Sequence, residues 1–218
     1  MSDLAKADWS DSERVRSIAT SYQQRYGEGF WEELTKLVTP IEINTVCDFG
    51  CGPGLFLQDA VQKLGATKVI GMDASTEMLA YAKNIALADL TNVQVDIIEI
   101  DFDIKRISLP SDSISFGFSG YMMHEVKKPL DFASQVYGTI KTAGGYAVFD
   151  FISGDREEFI RIMSDGHMSA EKARKRYPHM CKHSINDLED ILDAVGFSPI
   201  TSIKLDPIRA IVFGIKKG

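Results

Sequence analysis

The chain has little cysteine: three in 218 residues, at Cys47, Cys51 and Cys181. An odd, sparse set is no disulfide framework. It excludes a disulfide-held scaffold and points to a reducing compartment, so a cytoplasmic protein is expected. No apolar run approaches the ~18 residues that a membrane-crossing helix needs, so no membrane insertion is expected. The opening stretch, Met1-Ser2-Asp3-Leu4-Ala5-Lys6-Ala7-Asp8, carries charge where a signal peptide would carry an apolar core. Positive charge is not in excess either. Lys+Arg number 24 against 31 Asp+Glu, a formal net charge of -7. A compact acidic protein does not attract a phosphate backbone, so nucleic acid is not the expected main partner, although a local basic patch is compatible with that total. Repeats and low-complexity segments are missing. What remains, 44% hydrophobic and 10% aromatic, is the composition of one domain with a full core rather than of a disordered chain.

Against these absences one segment stands out. Val46-Cys47-Asp48-Phe49-Gly50-Cys51-Gly52-Pro53-Gly54 is a short apolar strand running into a turn with glycines at alternate positions. A second short strand, Val69-Ile70-Gly71-Met72, ends in Asp73. Glycines let a backbone come close to a ligand, and an acid at the neighbouring strand tip accepts hydrogen bonds from ribose hydroxyls. The bland reading is a tight strand-to-helix turn followed by a surface Asp. Strand, glycine turn, helix and acid together favour a nucleotide-like ligand. Cys47, on the strand, reads as a small apolar filler.

Residues 10–38 read as helical, with Val15, Ile18, Ala19, Tyr22 and Tyr26 at helical spacing and a break at Gly27 and Gly29. Strands and helices then alternate. Strands are expected at 45–49, 68–73, 93–98, 113–118 and 146–151. Helices are expected at 53–64, from a Ser75 cap to about Leu87, at 130–140 with Ala143-Gly144-Gly145 as exit turn, and at 185–194 after a Ser184 cap. Two closing strands, 197–205 and 209–216, have no room for a crossover helix and should pair antiparallel. The reading is α/β: a three-layer, Rossmann-like sandwich around a mostly parallel sheet, in one domain spanning 1–218. Residues 152–184 interrupt the rhythm, opening acidic (Asp155, Glu157, Glu158) and turning basic (Lys172, Arg174, Lys175, Arg176). They are expected as a helical insertion over the carboxyl ends of the strands. There, with the N-terminal helices of residues 1–40, they would act as a lid, because ligands bind at that edge of an open sheet.

The motifs, taken as a set, resemble those of class I S-adenosylmethionine-dependent methyltransferases. Asp48 to Gly54 is similar to the family's first motif and Gly71-Met72-Asp73-Ala74-Ser75 with Met78-Leu79 to the second. Ile100-Asp101-Phe102 is similar to the third, and Gly120-Tyr121-Met122-Met123-His124-Glu125-Val126 to the fourth. The resemblance covers roughly residues 40–218 and looks most like small-molecule enzymes of ubiquinone, menaquinone and sterol methylation. Two departures blur the substrate class: Thr142-Ala143-Gly144-Gly145 lacks the usual proline before its glycine pair, and Met122-Met123 stands where small or polar residues are common.

The resemblance implies a seven-stranded sheet of order 3-2-1-4-5-7-6 with strand seven antiparallel, S-adenosylmethionine as cofactor and S-adenosylhomocysteine as product. It implies that Gly50, Gly52 and Gly54 pass under the cofactor, and that Asp48 contacts the amino end of its methionine portion. Asp73 would hold the ribose hydroxyls, Met72 or Ala74 floor the adenine, and Asp101 and Phe102 bind the adenine edge. Cys51, Met78 and Ser119 join the cofactor set. On the acceptor side Tyr121 and His124 are the catalytic candidates, His124 as a neutral imidazole able to take a proton, with substrate or structural roles left open. Tyr22 and Tyr26 are substrate-lid candidates, or packing residues. His179-x-Cys181-x-His183, with His167 upstream, offers metal-capable side chains, but its spacing is no zinc-finger pattern and lacks a fourth ligand. No metal is expected, and lid contact or surface and cap roles stay open. A small-molecule acceptor is the expected partner, with monomer and homodimer both compatible. Protein or RNA methylation, a non-catalytic cofactor-binding subunit and a nicotinamide-dependent dehydrogenase are the alternatives. The dehydrogenase turn is usually G-x-G-x-x-G, whereas the glycines here alternate.

Overall fold

A computed structural model describes residues 11–165 and 168–218; His167 lies outside the described residues. The chain starts with three short helices, α1 (Ser12–Thr20), α2 (Tyr22–Arg25) and α3 (Glu28–Val38). The chain breaks at Gly27 as expected, and the helical stretch before it is interrupted as well, where Thr20 and Ser21 turn their hydroxyls back onto Arg16, Ser17 and Ile18 carbonyls, competing with helix propagation.

Alternation follows: β1 (Thr45–Phe49), α4 (Leu55–Leu64), β2 (Lys68–Asp73), α5 (Thr76–Tyr81), β3 (Gln94–Glu99), β4 (Ile114–Gly120), α6 (Pro129–Thr139) and β5 (Ile140–Phe151). Then come α7 (Arg156–Ser164), α8 (Ala170–Met180), α9 (Ile185–Val195), β6 (Phe197–Asp206) and β7 (Arg209–Lys216). The strands form one seven-stranded sheet in the order β3-β2-β1-β4-β5-β7-β6, with β7 antiparallel to both neighbours. This is the expected order and direction of pairing. The Ser75 and Ser184 caps form as read, Ser184 within a reciprocal capping box with Asp187.

β1 and β4 are buried almost throughout because helices cover both faces of the sheet. One face packs Leu34, Phe56, Leu57, Phe118 and Phe149 under α3 and α4. The other packs Phe49, Phe132, Val136, Tyr146, Leu188 and Leu192 under α6 and α9. Each such fully buried side chain contributes about 1.5–3 kcal/mol.

Two local expectations change. Ala143-Gly144-Gly145 is not an exit turn before β5. The strand begins directly after α6, and the pairing jumps from Ile114–Ile140 to Phe116–Gly145, so these residues form a bulge inside the strand with Ala143 at φ 61. The helix after Ser75 does not stay regular to Leu87. It widens into a π-turn at Ala82–Ala86, where Ala82 presses on Gly54: a Cβ on that glycine would meet the Ala82 Cβ at 2.7 Å.

The insertion forms α7 and α8 around their own apolar cluster, Phe159, Ile160, Met163, Ala173, Met180 and Cys181, which packs on Phe151 and Ile208.

Candidate functional site

A cleft with about 1110 Å³ of open space, its mouth included, lies where the carboxyl ends of β1, β2 and β4 meet. Its first wall is the glycine turn. Gly50 and Cys51 donate their N–H groups to the same Met72 carbonyl, at 2.7 and 2.9 Å, which ties the turn to β2. Gly52 N–H donates to Asp73 Oδ2 at 2.8 Å, and Ser75 N–H to Oδ1 at 2.9 Å. Asp73 is thus oriented by backbone donors, and its oxygens retain lone pairs for further donors. Burial pushes its carboxyl upward, against the pull of those donors. Gly52, at φ 50, holds a left-handed turn that a side chain would strain.

Asp48 is 3% exposed and lines the cleft, yet its Oδ1 is buried with no hydrogen-bond partner. Burial first, then the charge of Asp73, pushes its pKa well up. Cys51, Ala74, Met78, Asp101 and Phe102 also line the cleft. Burial pushes the Cys51 thiol up, which makes it wall rather than nucleophile.

Two cofactor-side expectations are not met. Gly54 caps α4 and faces Ala82, not the cleft. Ser119 is fully buried behind the wall, where its hydroxyl pairs with Tyr146 Oη at 2.8 Å.

The opposite wall combines the N-terminal helices (Ile18, Tyr22, Arg25, Tyr26) with the segment after β4 (Gly120, Tyr121, Met122, Glu125, Val126). Tyr22 Oη donates to Asp59 Oδ2 at 2.8 Å and its ring stacks on Tyr26 at 4.8 Å. Tyr26 also meets Phe30, Phe56, Phe118, Tyr121 and Phe149. A side chain at Gly120 would run into the Tyr26 hydroxyl. Tyr121 sits at φ 57, a strained conformation for a bulky residue. Its N–H donates to the Phe149 carbonyl at 2.7 Å, and its hydroxyl accepts from Arg209 Nη1 at 3.3 Å.

His124 is 5% exposed and stands behind this wall rather than on it. Its Nδ1 lies 2.6 Å from Asp150 Oδ1, its N–H donates to Asp150 Oδ2 at 3.1 Å, and its Nε2 lies 3.4 Å from Glu125 Oε1. His179 Nε2 approaches the same Glu125 oxygen at 3.2 Å. Burial pushes the His124 imidazole down, but Asp150 and then Glu125 outweigh it and raise its pKa to about 9. Burial pushes Glu125 up, and both histidines outweigh that, bringing it to about 2. The expectation of a neutral His124 free to take a proton near neutral pH therefore does not fit: its two nitrogens already face carboxylates.

The His179-x-Cys181-x-His183 spacing does not converge. Cys181 is buried in the insertion cluster, and the His183 carbonyl accepts from Ser153 N–H at 2.7 Å while its Nε2 is buried without a partner. No described residue of the insertion lines the cleft; it reaches the lining residues from behind, His179 meeting Glu125 and Lys182 Nζ donating to the Val126 carbonyl at 3.1 Å. The sequence reading missed Arg25 and Asp150. Asp150 had a signal: an acid inside the apolar run Val148-Phe149-Asp150-Phe151-Ile152 must be paired where it is buried.

A family model for methyltransferase domains matches residues 46–144, from β1 into the β5 bulge. Residues 46–144 carry a methyltransferase domain. A tRNA U34 carboxymethyltransferase of Shewanella woodyi is 27% identical over 135 residues, 62% of this chain and 40% of that protein. A malonyl-[acyl-carrier protein] O-methyltransferase of Marinomonas sp. is 30% identical over 122 residues, 56% of this chain and 43% of that one. The chain thus aligns with under half the length of these curated relatives. A crystal structure of a SAM-dependent methyltransferase from Aquifex aeolicus superposes with TM-score 0.70 at 20% identity, covering 94% of this chain and 98% of that one. No helix among the described residues is long and apolar enough to cross a membrane.

S-adenosylmethionine is the cofactor of this domain class, and the methyltransferase cleft fits it. The unpartnered Asp48 Oδ1 suits a cationic amino group, and the Asp73 carboxylate suits a pair of hydroxyls. Gly50 and Gly52 leave the first wall to backbone.

Proposed function

We propose that this chain methylates a small molecule, with S-adenosylmethionine as donor and the acceptor held between Tyr22, Tyr26, Tyr121 and Met122. The observation that carries the reading is the cleft itself. It joins the acid-and-glycine wall of a donor site to an aromatic wall supplied by the covering N-terminal helices. When bound, the donor supplies a methyl carbon on a sulfonium, an electrophile that reacts by in-line displacement, so positioning accounts for much of the acceleration.

The chain's own residues would do the following. Asp48 and Asp73 fix the donor's two ends. Tyr26, wedged over Gly120, keeps water from the acceptor side. Tyr121, its hydroxyl oriented by Arg209, is the polar group best placed to hold an acceptor. His124 is a positioning residue that sets the segment Tyr121 to Glu125 through Asp150. Among the described residues the cleft wall carries Asp48, Asp73, Asp101, Asp103 and Glu125 against Arg25 alone, a poor surface for a phosphate backbone. The basic run of α8 is partly neutralised, Lys175 by Glu171 at 2.7 Å and Arg174 by Glu157 at 3.5 Å.

The test is methyl-labelled donor added with the protein to a size-fractionated cell extract. Label is expected in the low-mass, acid-soluble fraction. Label only in nuclease-sensitive or protease-sensitive material would replace the small molecule with RNA or protein, and no labelled product at all would leave a donor-binding protein without transfer.

A further inference from the structure

Glu125 receives two imidazoles on one carboxylate oxygen. The ligand atoms of His124, Glu125 and His179 all lie within 4.8 Å of one another. The Nε2-to-Oε1 separations are 3.4 Å for His124 and 3.2 Å for His179. Tetrahedral donors with metal bonds of about 2.0–2.1 Å are themselves about 3.3–3.4 Å apart. The two rings stand edge to face at 86°, with centroids 5.5 Å apart, so they converge on the carboxylate from different directions.

We propose that His124, Glu125 and His179 bind a divalent transition metal ion, zinc foremost. Two imidazoles, one carboxylate and no thiolate suit zinc, ferrous iron or manganese, and are unlike the all-oxygen cages of calcium and magnesium. Three protein ligands leave a position open, as in catalytic rather than structural zinc sites. Because Glu125 lines the cleft, that position is reached from the acceptor side and takes water or an anionic oxygen.

A second layer supports the site. A metal-bound histidine usually gives its other N–H to a carboxylate, which fixes ring and tautomer. His124 Nδ1 has such a partner in Asp150 Oδ1 at 2.6 Å. Asp150 is 1% exposed and is itself held by the N–H groups of His124 and Phe151. The protein therefore presents His124 Nε2 outward before any ion arrives. His179 has 42% of its side chain exposed, which gives an ion access. The sequence pattern had suggested no metal, because it paired His179 with Cys181 and His183. The fold pairs it instead with residues of the β4 turn.

The site stands independently of methyl transfer and is tested by binding. Untagged, chelator-stripped protein is titrated with zinc against a chromophoric competitor. The expected result is about one ion per chain, with affinity falling roughly 100-fold in His179→Ala and roughly 10- to 100-fold in Asp150→Asn. His179→Ala is at a half-exposed position, and unchanged thermal unfolding of its metal-free form would show that the loss is not misfolding. Substoichiometric zinc in the wild type, or equal affinity in wild type and His179→Ala, overturns the proposal and leaves a chain of ion pairs.

Discussion

Asp48 and Asp150 stand on the same sheet, on strands β1 and β5, and are about equally buried, 3% and 1% exposed. Their surroundings differ. Asp150 takes a ring nitrogen of His124 and the backbone N–H groups of His124 and Phe151. Asp48 leaves Oδ1 without a partner. A buried acid with every bond made is part of the scaffold, whereas one left wanting is a place for something to bind. The difference separates an end built to hold its own segment from an end built to receive a ligand.

The sharpest way to break this comparison is Asp150→Ala, which strands His124 Nδ1 and two backbone donors. Loss of about 3–5 kcal/mol is expected in urea unfolding. If stability hardly moves, Asp150 is not an anchor. Next is Asp73→Ala. It removes the carboxylate proposed to accept from the ribose hydroxyls and frees the Gly52 and Ser75 donors, so donor affinity by calorimetry should fall by roughly 1.5–3 kcal/mol.

Asp48→Asn should act in the opposite sense to Asp150→Ala on stability. Burial raises the folded-state pKa of Asp48, so as pH rises the unfolded chain loses its proton first. The residue is harmless below about pH 4 and destabilises increasingly as pH climbs toward the folded value. The Asn variant should therefore be more stable than the parent near neutral pH, lose that gain in acid, and bind the donor more weakly. A variant no more stable at pH 7 than the parent would remove the contrast between the two acids. The smallest effect belongs to Tyr22→Phe, which gives up one hydrogen bond to Asp59. About 1 kcal/mol of stability should go, with donor affinity little changed.

The same two ends differ in how far the sequence revealed them. The donor wall is local: strand, glycine turn and the acid of the next strand lie close in the chain, and backbone geometry enforces their roles. The closing antiparallel pair was legible for a similar reason, since its short connection decides it, whereas the sheet order followed from the resemblance. The acceptor end was not. It joins His124 to Asp150 of β5 and to His179 of α8, and side chains so far apart in sequence leave no spacing to read. Ser119 and Gly54 failed differently. Both lie beside motif positions, but one faces Tyr146 and the other Ala82, facts of packing rather than of pattern.

The Tyr26 ring lies against six aromatic neighbours, with its hydroxyl wedged over Gly120. Lifting it cannot proceed contact by contact, because the rings share one another's surfaces. Molecules under this cover should exchange in discrete openings whose frequency climbs steeply with heating, as an unfolding event does, and not with the shallow dependence of diffusion.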